Sequence, residues 1–367
     1  MMRLDEATAR AAVMGGAVLG GGGGGYIQDG LERALLALKL GKVELWTLDE
    51  FVQAYGEDAR LLTCSAVGAP AAAERHVTPL DYIKAAQLAI ERSQEPVRGL
   101  ITNENGAGTT VNGWLQAAVL GLPVVDAPCN GRAHPTGKMG AMGLHALAGY
   151  TSLQVAVGGN PDQGRHVRLV VEAPLIHAAQ LVRQAAVEAG GLVAVARDPV
   201  PAAYVDQHAA KGAIRQAIEL GRAMMAAEAA GGRAVQEAAA KYLGGDLLAR
   251  GAVEIVSLET RGGYDVGRLV VRCDGDRRME LTFWNEYMTA DWLPSNGPAQ
   301  RLATFPDLIA LLSEDTGLPV ASAELEVGLP VAVLAVPRQR LILGAGMRFP
   351  ELIQEAEAAV GRPLLNP

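Results

Sequence analysis

Apolar residues at Ile27, Leu31, Leu35 and Leu38 recur at helical spacing and predict a helix over 26–40. A shorter helix is predicted over 5–14, and a run of six glycines, 20–25, lies between the two. β-rich runs at 43–48 and 61–67 precede a helix over 78–92, with Leu80, Ile83, Ala86 and Ile90 on one face and Gln87 interrupting the stripe. The strand 97–104 ends in polar residues and leads into a helix over 109–120. Strand 122–126 repeats that pattern and leads into a helix over 135–148. Strands alternating with helices predict a mostly parallel sheet, in which ligands collect at the carboxyl ends of the strands. Glu104 and Asp126 fall at two such ends.

After Gly158-Gly159-Asn160 the pattern changes. Strands at 167–171 and 192–196 flank a helix over 179–188, two Ala-rich helices span 209–242, and from Glu254 short apolar–polar alternations such as 267–273 and 279–284 predict antiparallel β structure. A last amphipathic helix is expected over 349–360. The expected fold class is α/β: an N-terminal α/β domain, 1–165, with a mostly parallel sheet, the glycine loop and the candidate site. A C-terminal domain, 166–367, is expected to be helical and then mixed and β-rich. A chain of 367 residues that is 50% hydrophobic can bury two such cores.

A net charge of −8 without a Lys/Arg run excludes a nucleic-acid groove and an anionic membrane surface as partners, and 4% aromatic residues leave no stacking platform for bases. A small-molecule substrate is expected instead. No apolar stretch reaches the length of a spanning helix, no signal peptide is expected, and three scattered cysteines, Cys64, Cys129 and Cys273, fit a cytoplasmic protein. Ala-rich faces such as 223–240 suggest a homo-oligomer.

A glycine run lets backbone N–H groups converge on an anion or lets another backbone approach closely. No buried strand precedes this one and no Gly-Lys-Ser/Thr ends it, so neither nucleotide-loop signature is met. The densest polar constellation is Asn103-Glu-Asn-Gly-Ala-Gly-Thr-Thr110 with Asp126-Ala-Pro-Cys-Asn-Gly-Arg-Ala-His-Pro-Thr-Gly-Lys138. Glu104 or Asp126 fits a general base for water, although each could instead cap a helix or bond loop amides. Arg132 suits a carboxylate clamp or a loop salt bridge. Asp126, Cys129 and His134 could hold a divalent metal such as zinc, though their spacing matches no strong zinc signature and a buried thiol beside a satisfied histidine fits equally; either residue is also a nucleophile candidate. His145 is expected in a core and Lys138 at the surface.

Leu19 with the glycine run, Gly121-Leu-Pro-Val-Val-Asp126 and Gly131-Arg-Ala-His-Pro135 resemble the S-methyl thiohydantoin desulfurase family, formerly a domain of unknown function. Lys211-Gly-Ala-Ile214, Gly221-Arg-Ala223, Asn285-Glu286, Pro306-Asp-Leu-Ile309 and Asp315-Thr-Gly-Leu-Pro319 extend the resemblance over nearly the whole chain. It implies two domains, a context shared with hydantoinase and oxoprolinase proteins, and removal of sulfur from a thiohydantoin or related cyclic amide. Carried over, the matching residues are the glycine loop 20–25, Glu104, Asp126, Gly131 and Arg132, with Asn285 and Glu286 matching more weakly. The candidate site then comprises Gly21, Gly22, Gly23 and Gly24 as an anion cradle, Asn103, Asn105 and Asn130 as substrate contacts, and Glu104, Asp126, Arg132 and His134 for the chemistry. The chain departs from the family's pattern at Asn105, Cys129, His134 and Thr136. A non-catalytic ligand-binding subunit that partners a hydantoinase-type enzyme is the alternative. In either case the glycine loop is expected beside Asp126 and Arg132.

Overall fold

The computed structural model describes residues 1–365, except for the side chain of Asp276. Its first sheet contains β1 (Met2–Arg3), β2 (Glu44–Trp46), β3 (Arg60–Gly68), β4 (Val97–Thr102), β5 (Val124–Val125), β6 (Thr151–Gly158), β7 (Val167–Pro174) and β8 (Leu192–Pro201), in the order β1-β2-β5-β4-β3-β8-β6-β7. Helices α1 (Glu6–Gly20), α2 (Ile27–Leu40), α3 (Leu48–Tyr55), α4 (Pro79–Arg92), α5 (Trp114–Leu120) and α6 (Leu175–Glu188) accompany it. The fold is α/β as expected, and its sheet is mixed. β2, β5, β4 and β3 run parallel, with α4 and α5 as crossovers, whereas β8, β6, β7 and β1 join antiparallel. Strand pairing therefore crosses residue 165, because β7 and β8 complete the first sheet.

Helices α7 (Ala202–His208), α8 (Ala213–Ala227) and α9 (Gly232–Leu243) lead to a second, antiparallel sheet. It contains β9 (Asp246–Arg261), β10 (Tyr264–Cys273), β11 (Arg278–Trp284), β12 (Glu286–Leu293), β13 (Gln300–Thr304), β14 (Leu308–Ser313), β15 (Pro319–Val320) and β16 (Pro330–Val336). Their order is β13-β12-β11-β10-β9-β16-β14-β15, and α10 (Pro350–Val360) follows.

Two helices differ from the pattern-based expectation. Asp5 caps α1 by accepting from the Thr8 amide at 2.8 Å, but the helix runs on to Gly20 instead of stopping near Met14. Gly15 and Gly16 each cost about 1 kcal/mol of helix propensity relative to Ala. They remain helical because a Cβ on Gly15 would lie 1.9 Å from the Ala217 carbonyl of α8, and one on Gly16 2.3 Å from Thr110 Oγ1. Gly221 meets Ala11 in the same way. The glycines thus let α1 and α8 touch backbone to backbone. The helix expected over 135–148 is absent: the segment is a string of turns with one 3₁₀ turn, Leu144–Ala146. Gly137, Gly140 and Gly143 interrupt it, and Met142 and Gly143 take φ of 51° and 80°, outside the helical region.

Candidate functional site

A cavity of about 450 Å³ opens between the end of β4, the start of α2, the turn around His134 and the β11–β12 corner. That volume lies in the usual small-molecule range of about 300–1,000 Å³. Its inner wall carries Glu104, His134, Arg197 and Glu286. Arg33, Arg75, Tyr26 and Tyr82 lie toward α2 and α4.

Glu104 follows β4 directly, so the parallel strand delivers its carboxyl to the sheet's carboxyl edge. Its Oε2 accepts the His134 amide at 3.2 Å. The His134 Nε2 lies 3.1 Å from the same oxygen without hydrogen-bond alignment. Burial pushes the Glu104 carboxyl up to about 7, opposed by the His134 amide and by the positive charges of Arg197 and Arg132. Burial, reinforced by Arg197, drives His134 down to about 3 and keeps its imidazole neutral. The ring packs against Gly140, where a Cβ would stand 2.4 Å from its Cε1.

Glu286 opens β12 from the second domain. Burial and the neighbouring Glu104 charge raise its carboxyl well above the ordinary range, and its Oε2 is buried without a partner. Asn285, immediately before it, has a φ of 57°, an uncommon conformation for a residue with a side chain. It is held there by three bonds: its amide donates to Asp265 O at 2.7 Å, its Oδ1 accepts the Asp265 amide at 2.9 Å, and its carbonyl accepts the Ser322 hydroxyl. This corner turns Glu286 toward the first domain.

The glycine loop seams the two domains. The Gly21 carbonyl accepts the Tyr287 amide at 2.7 Å, Gly22 accepts that of Ser322 at 2.9 Å, and Gly24 accepts those of Gly108 and Thr109. A Cβ on Gly22 would strike the Tyr287 ring at 2.7 Å, and one on Gly23 would strike Glu286 Oε1 at 1.9 Å. Gly21 to Gly23 thus permit close backbone approach, the second of the two uses open to such a run, while Gly24 and Gly25 line the cavity.

The other candidates are distributed as follows. Arg132 is close to the loop, with a Cβ on Gly21 falling 3.0 Å from its Nη2. Its remaining nitrogens donate to the carbonyls of Ala133, Pro306 and Asp307, and the guanidinium stacks over Phe305 at 4.8 Å. It sits fully buried behind the cavity wall, tying the domains together, rather than pairing with Asp126. Asp126 is carried to the start of α8, where its carboxylate accepts the Ile214 amide at 2.8 Å and lies near the Arg215 amide at 3.4 Å. It bonds helix amides, the bland role, because the positive end of a helix is the nearest satisfying partner for a buried carboxylate. Asn105 and Asn130 brace loops: Asn105 Nδ2 donates to Gly131 O and Ala213 O, and Asn130 bridges Arg132 O and the Gly344 amide. Asn103 lines the cavity and accepts from Asn112 Nδ2 at 3.3 Å.

Cys129 is buried against Thr63 Oγ1 at 3.4 Å, and burial pushes its thiol up to about 11, so it is no ready nucleophile. Asp126, Cys129 and His134 face different partners, and among the described residues no three His, Cys, Asp or Glu side chains are grouped to hold a metal. His145 stacks edge-on against Phe349, and Lys138 pairs with Glu355.

Arg197, Arg183, Arg33 and Arg75 line the cavity but lie outside the polar motifs of the sequence. Arg197 and Asp198 interrupt the apolar strand Leu192-Val-Ala-Val-Ala-Arg-Asp-Pro-Val-Pro201, and two adjacent charges in such a run are the signal that could have found them. Asp198 takes a φ of 51° and accepts from Ser152 and Tyr150 at 2.6 and 3.1 Å. Arg183 donates to the carbonyls of Gly68, Gly263 and Pro135 and lies 3.9 Å over the Tyr264 ring. Arg33 bonds Tyr82, Asn112 and Gly108, and Arg75 pairs with Asp29.

Among the described residues no helix is long and apolar enough to cross a membrane. No curated protein matches the chain. A crystal structure of a protein from Chromobacterium violaceum is similar over 98% of this chain and 96% of its own, with a TM-score of 0.72 at 23% identity, a likeness of fold. Residues 8–161 match the N-terminal domain of the S-Me-THD-like family and residues 175–345 its C-terminal domain. With both domains matched in order, the chain belongs to the S-Me-THD-like family, that of the S-methyl thiohydantoin desulfurases.

Proposed function

We propose that the chain is a cytoplasmic hydrolase that removes sulfur from a small thiohydantoin-type ring, with Glu104 as the base that activates water and Glu286 as the proton donor. One observation carries the reading: two buried carboxyls, one from each domain, face a single cavity, both raised by burial and Glu286 further by the Glu104 charge. Such a pair holds one proton between them near neutrality, which supplies a base and an acid together. We assign the proton to Glu286, whose carboxyl is raised both by burial and by the Glu104 charge.

In the reaction proposed, water gives a proton to Glu104 as its oxygen adds to the ring carbon between two nitrogens. The carbon–sulfur bond then breaks, and Glu286 protonates the departing sulfur. The second proton of water passes to the ring nitrogen as the ring carbon becomes a carbonyl, and Glu104 returns the first to Glu286, so that the pair is restored and water has in sum given one proton to the ring and one to the thiol. Neutral His134 beside Glu104 neither competes for that proton nor adds charge. Arg132 lies behind the wall, where its positive charge favours the ionised state of the pair.

The test is turnover of an S-methyl thiohydantoin, followed as thiol release, in wild type, Glu104→Gln and Glu286→Gln. A loss of about 100-fold or more in each is expected for removal of a general base or acid. Retained turnover in both variants refutes the assignment. Binding of the ring without turnover by the wild type, with co-purification of a hydantoinase-type partner, supports the ligand-binding subunit instead.

A further inference from the structure

The four sheet edges are not equivalent. Three are short: β1 and β15 have two residues each and β13 has five. The fourth, β7, has eight, Val167-Arg-Leu-Val-Val-Glu-Ala-Pro174, and all eight pair with β6 on its inner side. Among the described residues no hydrogen bond reaches the backbone of β7 from its outer side. A long open edge is a row of amides and carbonyls ready to take another strand, and proteins ordinarily shorten or cover it.

The side chains of β7 select which strand fits. Val167, Leu169 and Ala173 pack toward α6, whereas Val170 packs toward α4 on the other face. Arg168 and Glu172 share the Val170 face, because strand side chains alternate. Both are exposed, and among the described residues neither has a hydrogen bond or an ion pair. They stand about 13 Å apart along the strand, too far to pair with each other.

Their placement is symmetric, two residues on either side of Val170. If two copies of β7 pair antiparallel about a two-fold axis at Val170, each Arg168 stands opposite Glu172 of the second copy. Leu169 then stands opposite Val171, and Val167 opposite Ala173. Centring the pairing on Arg168 or on Glu172 would oppose like charges, which is destabilising. Pro174, which has no N–H, falls at the end of this ladder.

The helix above the edge agrees with the same axis. α6 follows Pro174 and folds back over β6 and β7. On its inner flank Arg183 donates to the Gly68 carbonyl at the end of β3. Leu181, about 200° round the helix from Arg183, therefore faces outward past β7, and it is 48% exposed. Six helical residues, about 9 Å, bring it back from Leu175 nearly to the level of Val170. The two-fold axis turns the two Leu181 side chains toward each other.

We infer that β7 is a homodimer interface, at which two copies join edge to edge, antiparallel and centred on Val170, into one sheet of 16 strands. The partner is a second copy because this strand presents, in reversed order, the charges that it needs opposite it.

The experiment is sedimentation equilibrium of the full chain, 38.3 kDa. Wild type, Arg168→Glu, Glu172→Arg, a mixture of those two variants, and the double variant Arg168→Glu/Glu172→Arg are compared. Wild type should sediment as a dimer. Each single variant turns two attractive cross-strand pairs into two repulsive ones and should raise the dimer Kd on the order of 100-fold. In the mixture one chain carries two acids and the other two bases, so a heterodimer should form with a Kd within a few-fold of wild type. The double variant, with its charges exchanged, should dimerise by itself. Recovery in the mixture also shows that both single variants are folded.

A wild type that stays monomeric at its highest soluble concentration overturns the inference. So does a dimer that both single variants leave intact, which would place the interface elsewhere. Two monomeric variants that fail to combine, with a double variant that stays monomeric, refute the register centred on Val170 and the inference with it.

Discussion

Gly23→Ala tests the seam between the domains most directly. Gly23 takes no left-handed φ, so alanine suits its backbone, but the added Cβ would lie 1.9 Å from Glu286 Oε1, 2.6 Å from Cδ and 2.9 Å from Cγ. The carboxyl must retreat by roughly 1.5 Å to reach ordinary contact, which moves it from the place it holds on the cavity wall. Overpacking of this kind costs about 1–3 kcal/mol, and a 1 Å misplacement of a reacting group costs on the order of 100-fold in rate. The expected outcome is a thermal midpoint lowered by a few degrees, with thiol release from an S-methyl thiohydantoin down about 100-fold. Gly20→Ala is the control. Its Cβ lies 3.3 Å from the Gly106 Cα inside a helix, so a gain in helix propensity offsets a slight contact. The decisive measurement is the double variant Gly23→Ala/Glu286→Ala, because Glu286→Ala removes the three atoms that the new methyl would meet. If the clash is the cause, Gly23→Ala destabilises the Glu286→Ala background by at least 1 kcal/mol less than the wild type. An equal cost in both backgrounds refutes the reasoning.

Burial raises Glu104 from 4.5 to about 7 and Asp126 from 3.8 to about 6, so both bind protons more tightly folded than unfolded. Their contribution to stability is therefore present at low pH and lost as pH rises toward 7. Glu104→Gln should flatten the fall in thermal midpoint between pH 5 and pH 8, and an unchanged profile would contradict the burial argument. Turnover should be bell-shaped, rising near pH 7 as Glu104 ionises and falling as Glu286 does, and Glu104→Gln should remove the acid limb. Asp126→Ala should cost about 1–2 kcal/mol through the lost bonds to the α8 amides, with kcat per folded molecule unchanged. A hundredfold fall in kcat would return Asp126 to the chemistry. Cys64 and Cys129, buried with thiols pushed up to about 12 and 11, should resist a thiol reagent in native protein and react on unfolding, as read by absorbance.

Much of the fold was legible because the signals are local. The stripe of Ile27, Leu31, Leu35 and Leu38 became α2, the alternation around Leu281 became β11, and Glu104 lies at a strand end as the strand–helix rhythm predicted. The failures have physical causes. Gly15 and Gly16 read as helix breakers, and only the approach of α8 makes them helix residues. The turns of 135–148 carry enough apolar residues to imitate a helix, while glycines and the positive φ at Met142 forbid one. Asp126 and Glu104 look alike in sequence, and they separate because one strand end faces the start of α8 and the other faces a cavity.

The sequence by itself determined the two-domain α/β character and the family, since each is written in short-range periodicity or ordered motifs. Only the tertiary structure decided which polar groups share a site. Glu104 and Glu286 are 182 positions apart, and burial raises the proton affinity of both, with the Glu104 charge adding to it at Glu286. Neither exists until the glycine loop lets the β11–β12 corner close on the first domain.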